Sequence, residues 1–269
     1  MILPLLVWSA VSAAAPPPAP TADQILAGAE QALKAGREQQ AGLMISRAIA
    51  VGASGPDLQR VQADFAYANG RYSEALSKYA GLMKTGYADQ RVLEGGGIAA
   101  LKVGDTRRAT TFLQRAVASD DATWRAWNAL GTIADDKGDW AKADECYARA
   151  AQLAPNEAGP VNNRGWSLLL RGEWRQAAVY FERAVSMDPN STRAVNNLDL
   201  AHAALAAELP KRRPGESARS WAGRLNDAGV AAMLFGDKQR AVAAFTQALD
   251  ASGTWYVRAA NNLAALGGK

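Results

Sequence analysis

The sequence predicts an all-α fold, a solenoid of stacked antiparallel helix pairs, and three observations predict it. Glycine returns at Gly36, Gly70, Gly104, Gly138 and Gly172, each 34 residues after the last. Alanine stands five residues after each (Ala41, Ala75, Ala109, Ala143, Ala177), and a large apolar residue four beyond that (Ile45, Tyr79, Leu113, Tyr147, Phe181). The composition is 49% hydrophobic and 21% charged, with alanine abundant throughout. Such side chains lose little rotamer freedom in a helix. Self-similarity at this period marks a repeat array, in which each helix pair buries its apolar face only against its neighbours.

The chain opens with MILPLLVWSAVSAAA at 1–15, and its first charged residue is Asp23. The apolar run Ile2 to Val11 suits the core of a secretion signal and falls short of the ~20 residues a spanning helix needs. Val11-Ser12-Ala13 and Ala13-Ala14-Ala15 offer small residues for cleavage, although the usual basic start is missing. No cysteine follows the run, so lipid attachment there is not expected. Pro16-Pro17-Pro18-Ala19-Pro20 then reads as an extended linker over 16–21. A periplasmic or secreted protein is expected, with a cytoplasmic one as the alternative.

The period sets repeats at 22–55, 56–89, 90–123, 124–157 and 158–191. The clearest runs AWNALGTIADDKGDWAKADECYARAAQLAPN from Ala126 to Asn156. It closely resembles the tetratricopeptide repeat family through Trp127, Leu130, Gly131, Gly138, Trp140, Ala143, Tyr147, Ala150 and Pro155. The next copy matches through Gly165, Leu168, Gly172, Trp174, Ala177, Phe181, Ala184 and Pro189. The resemblance covers about nine tenths of the chain and implies a right-handed α-solenoid that binds proteins. Gly131 and Ala143 are small where two helices cross, and Trp127, Leu130 and Tyr147 fill the surrounding space. Gly138 ends the first helix in a left-handed conformation. Asp139 caps the second helix, and Pro155 stops it. Arg37 and Arg71 replace the acid in the first two turns, so weaker capping is expected there.

A sixth copy begins with Arg193-Ala194-Val195-Asn196-Asn197-Leu198, so the array runs over 22–207. It then meets ELPKRRPGES at 208–217, whose two prolines and glycine make 208–219 a loop. The sixth repeat therefore lacks its second helix. The solenoid either turns there or 220–269 forms a separate piece. A further repeat resumes near 222 with Gly229, Gly236, Asp237, Ala241, Phe245 and Ala248, and a capping helix is expected at about 256–267. The stretch 208–217 followed by Trp221 to Gly229 loosely resembles repeat proteins associated with tight-adherence (Flp-type) pilus assembly. Those are often lipoproteins, and this chain lacks the lipid-attachment cysteine.

Catalytic chemistry finds little purchase. A single cysteine, Cys146, and a single histidine, His202, rule out internal disulfides, multi-histidine metal sites and most catalytic triads. Cys146 reads as a packing residue and His202 as solvated. Gly95-Gly96-Gly97 lacks the strand and the Gly-Lys-Ser/Thr of a phosphate loop and reads as close helix packing. Asp135 and Asp136 would point ~100° apart on a helix, poor geometry for a dyad. The net charge is +4, and Lys211-Arg212-Arg213 is the one short basic cluster. The expectation is no enzyme, no cofactor, no metal and no nucleic acid.

The family resemblance implies a concave groove lined by the first helix of each repeat. Asn128, Asn162, Asn196, Asn226 and Asn261 share one groove position, and Asn163, Asn197 and Asn262 the next. Similar asparagines line the repeats of O-linked N-acetylglucosamine transferases. They either hold a partner's backbone or bridge adjacent repeats. Arg91, Arg125, Arg193 and Arg258 recur at the start of the first helices, set to clamp carboxylates or to form a solvated rim. Asn128 and Thr132 stand where the carboxylate-clamp subfamily needs Lys and Asn, which argues against that mode. Trp166, Leu169, Leu200, Val230 and Met233 complete an apolar strip, part of which becomes core if the stack bends at the loop. A protein or peptide partner follows, in an envelope assembly or, alternatively, as cargo of a cytoplasmic co-chaperone or regulatory adaptor.

Overall fold

The computed structural model describes residues 19–205, 209–252 and 256–267, where helices joined by turns are the only regular structure. The apolar run at 1–15, residues 16–18 of the Pro-rich stretch and Glu208 lie outside the described residues. Two compact units divide the chain between Tyr87 and Ala88.

The first unit holds two hairpins, α1 (Ala22–Lys34) with α2 (Glu38–Ala50) and α3 (Gly55–Ala68) with α4 (Tyr72–Lys84). Thr21 and Gln24 form a reciprocal capping box that starts α1. Arg37 and Arg71 begin α2 and α4 without any side-chain cap, as their chemistry demands. Ile25, Leu26, Ala29, Ile45, Leu58 and Val61 make the core. Arg60 is buried within it, 5% exposed. Its guanidinium bonds Glu30 on α1 and, at 3.3 Å, Asp64 on α3, and Asp64 also accepts the Tyr79 hydroxyl. Burial of this charge is tolerable only because it is paired on both sides.

The second unit holds ten helices: α5 (Gln90–Lys102), α6 (Thr106–Val117), α7 (Trp124–Asp136), α8 (Trp140–Leu153), α9 (Ala158–Leu170), α10 (Trp174–Met187), α11 (Thr192–Leu205), α12 (Ala218–Leu234), α13 (Lys238–Ser252) and α14 (Val257–Gly267). Four hairpins (α5/α6, α7/α8, α9/α10, α12/α13) share one crossing. A Cβ placed on Gly97, Gly131, Gly165 or Gly229 would come within 2.6 Å of Leu113, 2.5 Å of Tyr147, 2.8 Å of Phe181 or 2.4 Å of Phe245 respectively. Each glycine thus lets its partner side chain lie against the backbone. Gly138 has φ 71° at the α7/α8 turn, and Asp105, Asp139 and Asp237 accept from the N–H three residues on at 2.9, 3.1 and 3.0 Å.

The sixth repeat departs as the prolines foretell. Asp199 of α11 occupies the position of the crossing glycines, and no second helix follows among the described residues. Residues 209–217 form a strap instead. Arg213 of the strap pairs with Asp199, so an ion pair stands where α7/α8, α9/α10 and α12/α13 put a ring against glycine. Glu216 accepts from Arg224 of α12 at 2.9 and 2.7 Å and from the Arg213 N–H at 2.9 Å. Trp221 Nε1 donates to the Pro210 carbonyl at 3.0 Å. Helix α12 continues the stack: Ala231 and Phe235 pack with Leu168, Leu169, Phe181, Leu200 and Ala204 of α9–α11.

Candidate partner-binding face

First helices of the second unit lie side by side, and their residues facing away from the second helices form the candidate face. Successive first helices pack roughly 10 Å apart, close enough for side chains at matching positions to meet. The asparagines use that proximity. Asn163 Nδ2 donates to Asn128 Oδ1 at 3.0 Å, Asn197 Nδ2 to Asn162 Oδ1 at 2.9 Å and Asn262 Nδ2 to Asn226 Oδ1 at 3.0 Å. Each bond joins one first helix to the next.

Of the two roles open to these amides, holding a partner's backbone or bridging adjacent repeats, six among the described residues take the second, which corrects the placing of Asn162 and Asn226 among the groove residues open to a partner. Asn162 and Asn226 are each only 4% exposed, with their carbonyl oxygens occupied. Asn128 and Asn197 are half-buried and paired, whereas Asn196 and Asn261 remain exposed. On the next helix the residue matching Asn163 and Asn197 is Asp227, which as a carboxylate has no N–H to give to Asn196 Oδ1, and Asn196 remains exposed. Burial pushes the Asp227 carboxyl above its usual range, against the opposing pull of its hydrogen bond from Asn226 and of Arg258.

Leu200 requires a second correction. It is 5% exposed and belongs to the core, because α12 packs onto α11 where the second helix is missing. Leu169 is likewise core, Trp166 is half-buried beside the same cluster, and Met233 is exposed at 37%. The arginines are where the register places them. Arg91, Arg125, Arg193 and Arg258 are all exposed, and the Arg125 guanidinium lies 4.8 Å from the Trp124 ring centroid. Arg193 and Asn162 line a recess of about 270 Å³ between the starts of α9 and α11.

Of the residues weighed for chemistry, Cys146, Asp135 and Asp199 are held in structural contacts, while His202 and Asp136 are exposed. Cys146 is fully buried, and burial lifts its thiol to about 11, far from a reactive thiolate. His202 is exposed, with Nε2 3.7 Å from Glu182. Asp199 pairs with Arg213. Asp135 is buried and accepts from Tyr147 Oη at 2.7 Å and Ser167 Oγ at 2.5 Å, while Asp136 points to solvent. Burial raises the Asp135 carboxyl despite these bonds. Among the described residues no cluster of His, Cys, Asp and Glu is arranged to hold a metal ion, and no helix is long and apolar enough to cross a membrane.

Glycine-crossed hairpins of 34 residues, stacked through their first helices, define a helical-repeat protein. Residues 124–157 and 163–191 match tetratricopeptide-repeat profiles, and the fold is an all-α tetratricopeptide-repeat solenoid. Solved structures agree in fold. A chain of the APC/C hetero-tetramer Cut9–Hcn1 is similar at TM-score 0.65 and 13% identity, over 91% of this chain and 49% of that one. This chain thus spans about half the length of that relative. A tetratricopeptide repeat protein from Parabacteroides merdae is similar at TM-score 0.56 and 12% identity, over 91% and 98% of the two chains. PilW, a widely conserved type IV pilus biogenesis factor, is similar at TM-score 0.56 and 13% identity, over 90% and 98%. At such identities the likeness shows the fold alone. No curated protein matches by sequence. Tetratricopeptide-repeat proteins bind protein or peptide partners and are in general non-catalytic scaffolds.

Proposed function

We propose that this protein is a non-catalytic scaffold that holds a protein or peptide partner on the first-helix face of its second unit. The carrying observation is the row of exposed polar side chains on that face (Arg125, Arg193, Asn196, Arg258, Asn261), which the fold itself leaves uncovered. Half-buried Trp166 and Asn128 lie among them and add an apolar contact and an amide. Arginines recognise carboxylates through paired N–H groups, and the open amide of Asn196 can both donate and accept.

The setting we propose is a bacterial envelope assembly such as pilus biogenesis or secretion. The signal-like run at 1–15 supports export, and the loose resemblance of 208–229 to pilus-associated repeat proteins supports the assembly. Crosslinking and pull-down from fractionated cells tests both parts, with wild type beside an Arg125→Glu/Arg193→Glu/Asn196→Ala variant. Envelope partners that appear with the wild type and vanish with the equally helical variant support the reading. Undiminished capture would move binding off this face. A cytosolic protein with an intact N-terminus would replace the envelope setting with that of a cytoplasmic adaptor.

A further inference from the structure

The recess between the starts of α12 and α14 is lined by Arg219, Tyr256, Val257 and Arg258 and encloses about 420 Å³. Both arginines are exposed, and neither forms an ion pair or hydrogen bond among the described residues. Their surroundings do not neutralise them. Residues 209–267 carry eight Lys and Arg (Lys211, Arg212, Arg213, Arg219, Arg224, Lys238, Arg240, Arg258) against four acids (Glu216, Asp227, Asp237, Asp250), a net charge of +4. Of those acids, Glu216 is held by Arg224 and Asp237 caps α13. Asp227 feels Arg258 but forms no ion pair with it, and burial disfavours its charged form. The Tyr256 hydroxyl has no hydrogen-bond partner among the described residues and lies 3.9 Å from the position a Cβ would take on Gly223.

We infer that this recess is a docking site for an acidic peptide segment, in which an Asp or Glu carboxylate of the partner is gripped by Arg219 and Arg258 while a neighbouring apolar residue rests on Val257. Two guanidinium groups give a carboxylate paired, charge-assisted hydrogen bonds, and the Tyr256 hydroxyl supplies a further donor. Val257, 55% exposed, gives the recess an apolar wall. That wall favours a peptide over nucleic acid, which calls for a continuous basic tract. The nearest such tract is already committed, since Arg212 bonds the Glu216 carbonyl and Arg213 bonds Asp199. The inference deepens the scaffold reading and rests on it, but lies off the Arg125–Asn196 part of the face.

Fluorescence anisotropy on the purified full chain tests it, with a labelled Glu-rich peptide containing leucine as the probe. An otherwise identical Gln peptide and a single-stranded oligonucleotide serve as comparisons. The Glu peptide is expected to bind, the Gln peptide to bind far more weakly, and Arg219→Glu/Arg258→Glu to weaken the Glu peptide by about ten-fold or more. Arg219→Lys/Arg258→Lys keeps the charge but loses the forked geometry, so it should fall between the two. The control Arg183→Glu, exposed on α10, should leave the affinity unchanged. No binding of the Glu peptide, equal binding of the Gln peptide, no loss in the double variant, or stronger binding of the oligonucleotide would each overturn the assignment. Envelope partners still captured by the double variant would show that only this recess, and not the scaffold reading, had failed.

Discussion

The hairpins from α7 to α10 and the segment from α11 through the strap solve the same packing problem by opposite means. In α7/α8 and α9/α10, Gly131 and Gly165 open a backbone surface onto which Tyr147 and Phe181 lie, and burial of these rings holds the two helices together. In the sixth repeat that position is Asp199, whose charged side chain takes the place of the bare backbone surface. The chain fixes its strap instead with the pairs Asp199–Arg213 and Glu216–Arg224 and the Trp221–Pro210 bond. The asparagine ladder breaks at the same junction, where Asp227 replaces the donor amide. One region is thus held by apolar contact and the other by directed polar contacts. The two should respond differently to mutation, salt and acid.

The largest effect is expected in the regular region. Phe181→Ala removes a fully buried ring and should destabilise by about 3–5 kcal/mol in urea unfolding followed by tryptophan fluorescence. A loss below ~1 kcal/mol would show that the crossing does not carry the hairpin.

Next comes the strap. Glu216→Ala strips Arg224 of its partner in a tight site, an expected cost of about 2–3 kcal/mol. Hydrogen bonding from Arg224 holds the Glu216 carboxyl down at about 2. Its pKa is therefore lower folded than unfolded, and its contribution is present above the unfolded value of ~4.3 and fades as pH falls from there toward 2. Trp221 emission should report that transition in the wild type, and Glu216→Gln should remove it.

A smaller effect separates two neighbouring regular repeats. Tyr147 donates to buried Asp135, whereas the next repeat has Phe181 and Leu169 at the matching positions. Tyr147→Phe should cost about 1–2 kcal/mol by stripping a donor from a buried carboxylate. Tyr147→Phe/Asp135→Leu should recover most of it, and a double variant worse than the single one would refute the pairing.

Capping gives the smallest changes. Asp139→Ala should lose about 1 kcal/mol, and Arg37→Asp should gain roughly half as much in the first unit, both read from urea midpoints.

Much of this contrast is written in the sequence. The 34-residue spacing of glycines placed the turn inside each of the first five hairpins, and Asp139 against Arg37 foretold which helices carry caps. Pro210 and Pro214 announced the missing helix. The asparagines were harder to read, because a side chain on a groove position and one bridging two helices share the same register. Only the distance between neighbouring helices sends the Asn162 amide inward. A signal did exist: Asn-Asn pairs recur at 162–163, 196–197 and 261–262, while 226–227 is Asn-Asp. Asp199 in a glycine position was equally visible, but its partner Arg213 comes from a loop whose path no periodicity specifies. Arg60 belongs to the same class, since the acids around it sit on two helices.

Site-specific photo-crosslinking in cells tests the central claim most directly. Benzoylphenylalanine would be placed in turn at Arg193 and Asn196 on α11 and at Val179, which is 62% exposed on the second-helix side of α10. The scaffold account predicts specific adducts from Arg193 and Asn196 and none from Val179. Adducts from Val179 alone would contradict it and place the partner on the opposite face.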